Sequence, residues 1–415
     1  MKEFHQYILS NGLKVIHEPS PTNVVYCGYI VDAGTRDEAA ADRGMAHFCE
    51  HMTFKGTAQR RSWQIRNCLE RVGGDLNAFT NKEITVYYAT IQREDFPRAA
   101  NLLSDIVFHS VYPQSEIDKE VEVIIDEIDS YNDSPAELIY DEFEEMLFRG
   151  HPLGRNILGN ADTLRCYHTE DALRFTHRYY VPSNCTFFVL GQVDFHKVVR
   201  LLEHHTPSPD AHTPLPNAAI AQGNAADALP PYQKDMRVCD RDTHQAHVLM
   251  GNRGCSIVSP DRTALFLLNN ILGGPGMNSL LNVSLREKRG LVYNVESNTF
   301  SYKDTGVWSV YFGCDEGKVN QCSRLVCREL QRLCDEPLSP RVLSMAKKQL
   351  IGQILIAGDN FESYALAMGK VFALQNTHRD VDSICADIRA LTSEDLLRVA
   401  RQVMDPNNLT TLIYR

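Results

Sequence analysis

The stretch that decides how this chain folds and what chemistry it can support is Arg43-Gly44-Met45-Ala46-His47-Phe48-Cys49-Glu50-His51-Met52-Thr53-Phe54-Lys55-Gly56-Thr57. The pattern predicts a short helix between the glycines, with His47 and His51 about 40° apart around its axis and their β-carbons roughly 5 to 6 Å apart. Glu50 faces the same way. Two ring nitrogens can therefore reach one metal ion at bonds of about 2 Å. The order His-x-x-Glu-His is the inverted form of the more common His-Glu-x-x-His zinc motif.

The five-residue motif alone leaves two interpretations open. Histidines four positions apart also occur on helices that bind nothing, and the chain contains 15 histidines, so such pairs arise by accident. A hydrolytic zinc site requires three protein ligands and leaves the fourth position for water. Cys49 lies between the histidines, but on a helix it points about 100° per residue away from them, so we expect it to pack in the core. A third ligand must come from elsewhere in the chain.

An acidic stretch at residues 116–129 supplies the candidates for a third ligand. Its apolar residues recur at helical spacing and form a predicted buried stripe of Val121, Ile124, Ile125 and Ile128. Glu120 and Glu127 are two turns apart on one face of this predicted helix. Most acids on such a helix are solvated, but Glu127 borders the stripe, where an unpaired carboxylate would be costly. A nearby cation would offset that cost.

With these surroundings the motif resembles the pitrilysin or insulinase family of inverted zinc peptidases, and most closely its short branch around mitochondrial processing peptidase. The resemblance runs along nearly the whole chain and begins with residues 9–15, 33–38 and 47–57. In that family the third ligand is a glutamate about 76 residues after the second histidine, which falls on Glu127, and a second acid seven positions earlier falls on Glu120. The resemblance therefore implies zinc bound by His47, His51 and Glu127, with Glu120 orienting a ligand or assisting the water.

A possible substrate contact follows the zinc motif. Residues 73–80 predict a turn that leads into an alternating strand at residues 85–90. An ordinary strand of a half-buried sheet has the same composition, because aromatic and β-branched residues are common in strands. In the resembling family this strand is an exposed edge that pairs with the peptide to be cut, through backbone hydrogen bonds that depend little on side chains. The resemblance implies substrate contacts at Asn77, Ala78 and Phe79.

A glycine-rich stretch at residues 273–278 precedes a further match in the second half of the chain. Taken alone, Arg286 would be a surface charge and Tyr293 a strand residue. The family carries an arginine and a tyrosine seven positions apart that reach into the active site, and these two residues match that spacing. The resemblance implies that Tyr293 donates a hydrogen bond to the oxyanion and that Arg286 holds the substrate or the tyrosine. Pro275 departs from the family's run of glycine and serine.

Length and composition predict two α+β domains. The chain has 415 residues, 43% of them apolar, which is enough for two or three domain cores. Residues 206–235 hold six of the 18 prolines and predict an exposed linker. It separates a zinc-binding domain at residues 1–205 from a related domain at residues 236–415 that lacks zinc ligands but carries the glycine-rich loop and the Arg/Tyr pair. We expect each domain to be a sheet flanked by helices, clamshell-like when the protein is dimeric.

Charge and patterning argue against several classes of partner. The formal net charge is −11 and no basic cluster is long enough to follow a phosphate backbone, so we expect no nucleic-acid partner. The first residues lack a signal-peptide pattern and no run of about 18 apolar residues occurs, so we expect a soluble, cytoplasmic protein without a membrane partner. Twelve cysteines scattered through predicted helices and strands indicate reduced thiols.

The motif and the resemblance together imply a zinc metalloendopeptidase with one Zn²⁺ per chain, in which Glu50 accepts a proton from zinc-activated water. A chain of this length holds one zinc half and one Arg/Tyr half. The resemblance therefore implies a homodimer with shared active sites that cleaves peptides or unfolded polypeptide segments. One alternative is a non-catalytic subunit, against which the intact motif and Glu127 argue. Another is a subunit active only with a different partner chain in a heteromeric processing peptidase, against which Arg286 and Tyr293 argue.

Overall fold

The computed structural model of this protein describes residues 3–208, 228–241 and 243–415. Within these residues the α-helices are α1 Met45–Thr53, α2 Ser62–Glu70, α3 Phe96–Phe108, α4 Gln114–Asn132, α5 Pro135–Leu147, α6 Ala161–Leu164, α7 Thr169–Tyr179, α8 Phe195–His205, α9 Arg262–Gly273, α10 Val319–Asp335, α11 Pro340–Ala357, α12 Phe361–Gln375, α13 Val381–Ala390 and α14 Ser393–Val403. None of these helices is both long and apolar enough to cross a membrane.

The strands are β1 His5–Ile8, β2 Lys14–Glu18, β3 Val24–Val31, β4 Asp75–Thr80, β5 Thr85–Gln92, β6 Cys185–Leu190, β7 Met236–Cys239, β8 Ala246–Gly254, β9 Val292–Ser301, β10 Gly306–Cys314 and β11 Thr410–Tyr414. A π-helical turn spans Asn282–Glu287. The helices predicted around the zinc motif and the acidic stretch are α1 and α4. Most of the predicted linker lies outside the described residues.

The chain divides into two compact units, and each is discontinuous in sequence. As far as they are described, the first unit consists of Met1–Ser130, Arg155–Ala228 and Gly358–Asp380, and the second of Tyr131–Gly154, Leu229–Ala357 and Val381–Arg415. The first unit therefore contains α12 from the second half of the sequence, and the second unit contains α5 from the first half. Domain boundaries at residues 205 and 236 stay a prediction.

The first unit is built on a six-stranded sheet in the order β1-β2-β6-β3-β5-β4. β2 and β6 are parallel and the other neighbours are antiparallel. One face packs against a large core that includes Phe48 of α1 and Leu103 of α3. The other face is covered by α12, whose Met368 and Phe372 pack on Phe188 of β6. Both faces are therefore buried, which explains why the central strands are almost continuously apolar.

The predicted substrate strand was assigned to the wrong residues of this sheet. The prediction made residues 73–80 a turn and placed the edge at residues 85–90, but β4 at Asp75–Thr80 is the edge and β5 lies between β3 and β4. Gly73, with φ of +74°, makes the turn. Asp75 and Asn77 face outward along β4, and aspartate and asparagine are also common in turns, so composition alone misled the prediction. Asn77, Ala78 and Phe79 therefore lie on the edge strand itself.

The second unit repeats this architecture. Its five-stranded sheet has the order β7-β11-β8-β10-β9, with β7 parallel to β11 and the remaining pairs antiparallel. One face packs on α9 and α10, and the other on Ile139 and Phe143 of α5. From β8 to β11 the elements follow the same order as from β3 to β6, with α9 in the place of α1 and the edge strand β9 in the place of β4. The predicted α+β class with two related halves is confirmed.

The packing of α12 on the first sheet predicts different outcomes for the same substitution at two helical glycines. A β-carbon at Gly369 would lie 2.8 Å from the ring of Phe188, whereas one at Gly352 of α11 would meet nothing within 4 Å. We expect Gly369→Val to lower the free energy of unfolding by about 1 to 3 kcal/mol through overpacking. Gly352→Val should change it by less than about 0.5 kcal/mol. Urea unfolding followed by circular dichroism measures both, and equal losses would contradict this packing.

Candidate metal centre

The helix that carries the two histidines begins at a glycine and a buried acid. Gly44, which precedes α1, has φ of +89°, and a β-carbon there would lie 2.8 Å from a backbone oxygen, so a larger residue would be strained. The carboxylate of Glu38 accepts the N–H groups of Gly44 and Ala46, both at 2.9 Å. Burial raises the pKa of Glu38 to about 8, although these two bonds lower it. Glu38 thus satisfies the free donors at the start of the helix.

His47 and His51 face Glu127 of α4, and the three side chains form a candidate metal group. Nε2 of His47 lies 3.9 Å from Oε1 of Glu127, and Nε2 of His51 lies 3.5 Å from Oε2. Ligand atoms at the corners of a tetrahedron around Zn²⁺, with bonds of 2.0 to 2.1 Å, are about 3.3 to 3.4 Å apart. The three residues therefore fit a zinc ion with small side-chain adjustments.

The protonation of the two histidines differs. Burial, followed by the proximity of His51, lowers the pKa of His47 to about 3, so this ring is neutral and has a lone pair available for a metal. Burial also lowers the pKa of His51. That effect is outweighed by the hydrogen bond to Glu120 and by the carboxylates of Glu50 and Glu127, so the pKa of His51 is raised overall. Protons therefore compete with a metal mainly at His51.

Glu127 is in the expected place for a different reason from the one predicted. Its side chain is 44% exposed, so the argument that burial makes its charge costly is wrong. Val121, Ile124 and Ile125 are buried as expected, but the long side chain of Glu127 extends from the border of that stripe towards solvent. Its position opposite both imidazoles is what distinguishes it from the other acids of α4.

Glu120 connects His51 to a lysine that the sequence analysis missed. Nδ1 of His51 lies 3.1 Å from Oε1 of Glu120, and Nζ of Lys55 donates to Oε2. Burial raises the pKa of Glu120, but the bonds from His51 and Lys55 outweigh it, so the pKa is lowered overall. With Nδ1 donating to a carboxylate, Nε2 is the nitrogen left for a metal. Lys55 follows His51 by four positions, a spacing that could have revealed it.

Glu50 is bonded to the edge strand. Its side chain is nearly buried, and Oε2 accepts a hydrogen bond of 2.7 Å from the hydroxyl of Thr80, the last residue of β4. Burial raises the pKa of Glu50, and the bond from Thr80 lowers it. Cys49, by contrast, is fully buried with Sγ 3.6 Å from the sulfur of Met45, in agreement with the prediction that it packs.

The predicted substrate residues alternate along β4. Asn77 is exposed and donates to Asp75 at 2.7 Å. Phe79 is 36% exposed and meets the ring of Tyr88 edge-on. Ala78 points to the opposite face and packs against the core beside α1. What the three residues share is the backbone of an edge strand.

The second unit has a cavity of about 500 Å³ beside α9 and β9, lined by amides such as Asn269, Asn270 and Gln353. The hydroxyl of Ser297 donates to Oδ1 of Asn269 at 2.6 Å, and the Asn269 amide donates to the Ser297 carbonyl at 2.8 Å. These bonds join a helix to an edge strand, as the bond between Glu50 and Thr80 does in the first unit. Across the residues that the structure describes, the group around His47 is the one set of side chains with metal-ligand geometry.

Arg286 and Tyr293 both lie in the second unit. Arg286 is on the π-helical turn and lines the cavity. Tyr293 is the second residue of β9, is 62% exposed, and donates its hydroxyl proton to Asp315 at 2.8 Å. The glycine-rich loop borders the same cavity, and a β-carbon at Gly273 would lie 2.7 Å from the backbone nitrogen of Ser297. The roles predicted for the Arg/Tyr pair stay predictions.

Two family models match this chain, one after the other along the sequence. Residues 14–161 match the family model described as Insulinase (Peptidase family M16), and residues 168–350 match the model described as Peptidase M16 inactive domain. An uncharacterized zinc protease of Bacillus subtilis, YmxG, is 30% identical over 98% of this chain and 97% of its own length. An uncharacterized zinc protease of Streptomyces coelicolor is 32% identical over 95% of this chain and 86% of its own length.

Two solved structures share the fold. A protease from Helicobacter pylori superposes with a TM-score of 0.88 at 22% identity, covering 100% of this chain and 99% of its own. A Pseudomonas fluorescens structure described as a peptidase M16 inactive domain superposes with a TM-score of 0.87 at 17% identity, covering 99% and 98%.

The metal group predicts a sharp contrast between two neighbouring acids. Glu127→Gln removes a ligand oxygen, and we expect it to raise the zinc dissociation constant at least about 100-fold. Asp126→Asn, which removes the same charge from the preceding exposed position, should leave zinc affinity unchanged within about twofold. Competition with a chromogenic chelator measures both constants. Equal weakening by the two variants would point to a general charge effect and contradict ligation by Glu127.

Proposed function

Because this chain belongs to the insulinase family, peptidase family M16, we propose that it is a zinc-dependent metalloendopeptidase that hydrolyses peptide bonds in extended peptides or unfolded segments. The observation that carries the proposal is the convergence of His47, His51 and Glu127 beside a buried Glu50 that is bonded to an edge strand. His47, His51 and Glu127 would hold one Zn²⁺ per chain.

When bound, the zinc ion would supply a water molecule of lowered pKa and polarise the scissile carbonyl. Glu50 is the general base that takes the proton of the attacking water. As a carboxylate it can both accept that proton and pass it on to the leaving nitrogen. The bond from Thr80 orients one carboxylate oxygen and leaves the other for the water. Glu120 orients His51 through Nδ1.

The substrate binds in extended form along β4. β4 is the last strand of its sheet, so one side of its backbone has hydrogen-bonding groups available for another strand. A peptide paired at Asn77, Ala78 and Phe79 would lie directly beside Glu50, because Thr80 of the same strand contacts that carboxylate. Backbone pairing of this kind supplies affinity with little side-chain selectivity, which suits a peptidase acting on varied unfolded segments.

The active site is completed by a second copy of the chain. One chain has one metal group among its described residues, and the exposed Tyr293 and the cavity-lining Arg286 are placed on a unit without ligands. In the proposed homodimer, the partner's Tyr293 donates a hydrogen bond to the oxyanion, and the partner's Arg286 holds the substrate or that tyrosine. Two equivalent sites result from the twofold symmetry.

Two substitutions separate metal binding from catalysis. Glu50→Gln should retain zinc and lower kcat by at least about 100-fold, because it removes the base and leaves the ligands in place. His51→Ala should lose both zinc and cleavage. Glu122→Gln, a charge-matched change on the exposed face of α4, is the control and should cleave normally. A quenched fluorescent peptide and metal analysis provide the readouts. Cleavage by Glu50→Gln at the wild-type rate would rule out the proposed mechanism.

Mixing two inactive variants tests the shared site. Glu50→Gln and Tyr293→Phe carry their defects in different units, so a heterodimer of the two contains one intact site. After equilibration of an equal mixture, half of the dimers are mixed and we expect about a quarter of the wild-type activity per chain. A mixture of Glu50→Gln with His51→Ala is the control and should stay inactive. Absence of rescue in mixed dimers verified by mass would contradict the shared site.

The purified chain alone also distinguishes the remaining alternatives. A non-catalytic subunit would bind no zinc or cleave nothing under any condition. A partner-dependent subunit would bind zinc but cleave the peptide only after a different chain is added. We expect the single purified chain to bind zinc and to cleave.

A further inference from the structure

We propose that Lys55 is a positioning residue of the metal centre, which holds the Glu120 carboxylate in the orientation that accepts the proton of His51 Nδ1. In this way Lys55 determines which nitrogen of His51 is offered to the metal, without touching the metal or the substrate. The inference rests on the proposed function in one respect, that the metal group binds zinc. It assigns a role to a side chain outside the motif and its predicted partners.

Each oxygen of Glu120 has its own donor. Oε1 pairs with His51 Nδ1 at 3.1 Å, and Oε2 pairs with the Lys55 ammonium group. The Glu120 side chain is 9% exposed and that of Lys55 is 26% exposed, so this ion pair is partly shielded from solvent. Loss of the lysine would leave a nearly buried carboxylate oxygen unpaired, which is costly. The carboxylate would then rotate towards water, and His51 would lose the partner that selects its tautomer.

The position of Lys55 is determined by the end of α1. His47, His51 and Lys55 follow one another at intervals of four, so they lie along one face of α1 and of the turn that follows it. The backbone N–H of Lys55 still donates to the carbonyl of Met52 at 3.0 Å, which continues the helical path beyond the last residue of α1. The lysine is therefore presented to α4 by the same rigid element that presents the two histidines.

The second unit shows the same architecture without this pair. Asn269 and Ser297 join a helix to an edge strand, as Glu50 and Thr80 do in the first unit. The helix of Asn269 ends at Gly273, and the backbone is already extended at Gly274. In the second unit a helix and an edge strand are therefore joined without a lysine that continues the helix, which favours a role of Lys55 at the metal over a role in folding.

Four variants of the full-length chain test the proposal. Lys55→Met removes the charge and keeps the length of the side chain, and Lys55→Arg keeps a cationic donor. Glu120→Gln removes the charge on which Lys55 acts. Lys119→Met is the matched control, because Lys119 pairs with Glu116 at the exposed surface of α4. The zinc dissociation constant is measured by chelator competition, and the visible spectrum of the cobalt-substituted protein reports ligand geometry. Unfolding of the zinc-free chain identifies variants that are merely unstable.

We expect Lys55→Met to weaken zinc binding about 10- to 100-fold and to change the cobalt spectrum, with unfolding of the zinc-free chain unchanged. Lys55→Arg should restore most of the affinity, and Lys119→Met should match the wild type. Because Lys55 acts through Glu120, the double variant Lys55→Met with Glu120→Gln should bind zinc no more weakly than Glu120→Gln alone. If Lys55→Met does not fold, the same comparison is made with Lys55→Gln.

The proposal is overturned if a folded Lys55→Met or Lys55→Gln chain binds zinc like the wild type. It is also overturned if Lys55→Met weakens zinc binding by the same factor in the wild-type chain and in the Glu120→Gln chain, because the two residues would then act independently. These measurements involve no peptide. If zinc affinity depends on Lys55 as expected but the wild-type chain cleaves no peptide, the proposed function is overturned and the role of Lys55 stands.

Discussion

Buried carboxylates tie α1 to the first unit at three levels. Glu38 accepts two N–H groups at its start, Glu50 accepts the hydroxyl of Thr80 in its middle, and Glu120 accepts Nδ1 of His51 near its end. A carboxylate in a low-dielectric interior is costly unless its hydrogen bonds are satisfied, so each contact constrains the helix strongly. A rotation of α1 by one residue, about 100°, would break all three and turn both histidines away from α4.

The two units show how one backbone arrangement supports two electrostatic environments. In the first unit, the helix residue that faces the edge strand is Glu50, close to two histidines and to Glu127. In the second unit it is Asn269, whose amide both donates to and accepts from Ser297. An amide can be satisfied by protein groups alone, whereas clustered carboxylates and imidazole lone pairs favour a cation. The helix beside an edge strand is a property of the fold, and the candidate metal group is a property of a few side chains.

Much of the candidate site followed from local spacing. The interval of four between His47 and His51 required a helix, and the periodic acidic stretch predicted α4 with Glu127 on it. The errors concerned contacts that spacing does not encode. β4 was interpreted as a turn because aspartate and asparagine are common in turns, and Glu127 was expected at a buried border. Lys55 and Thr80 were missed because their partners are 65 and 30 residues away along the chain.

The amino-acid sequence by itself determined the α+β class and the two related halves, and it predicted that two histidines share one face of a helix, because periodicity and turn residues act over short stretches of chain. The tertiary structure alone decided which strand is the edge, that α5 belongs to the second unit and α12 to the first, and that Lys55 pairs with the acid beside His51. Those outcomes depend on which faces of distant elements bury one another. Burial, in turn, decides which polar groups must find a partner, and no local pattern carries that information.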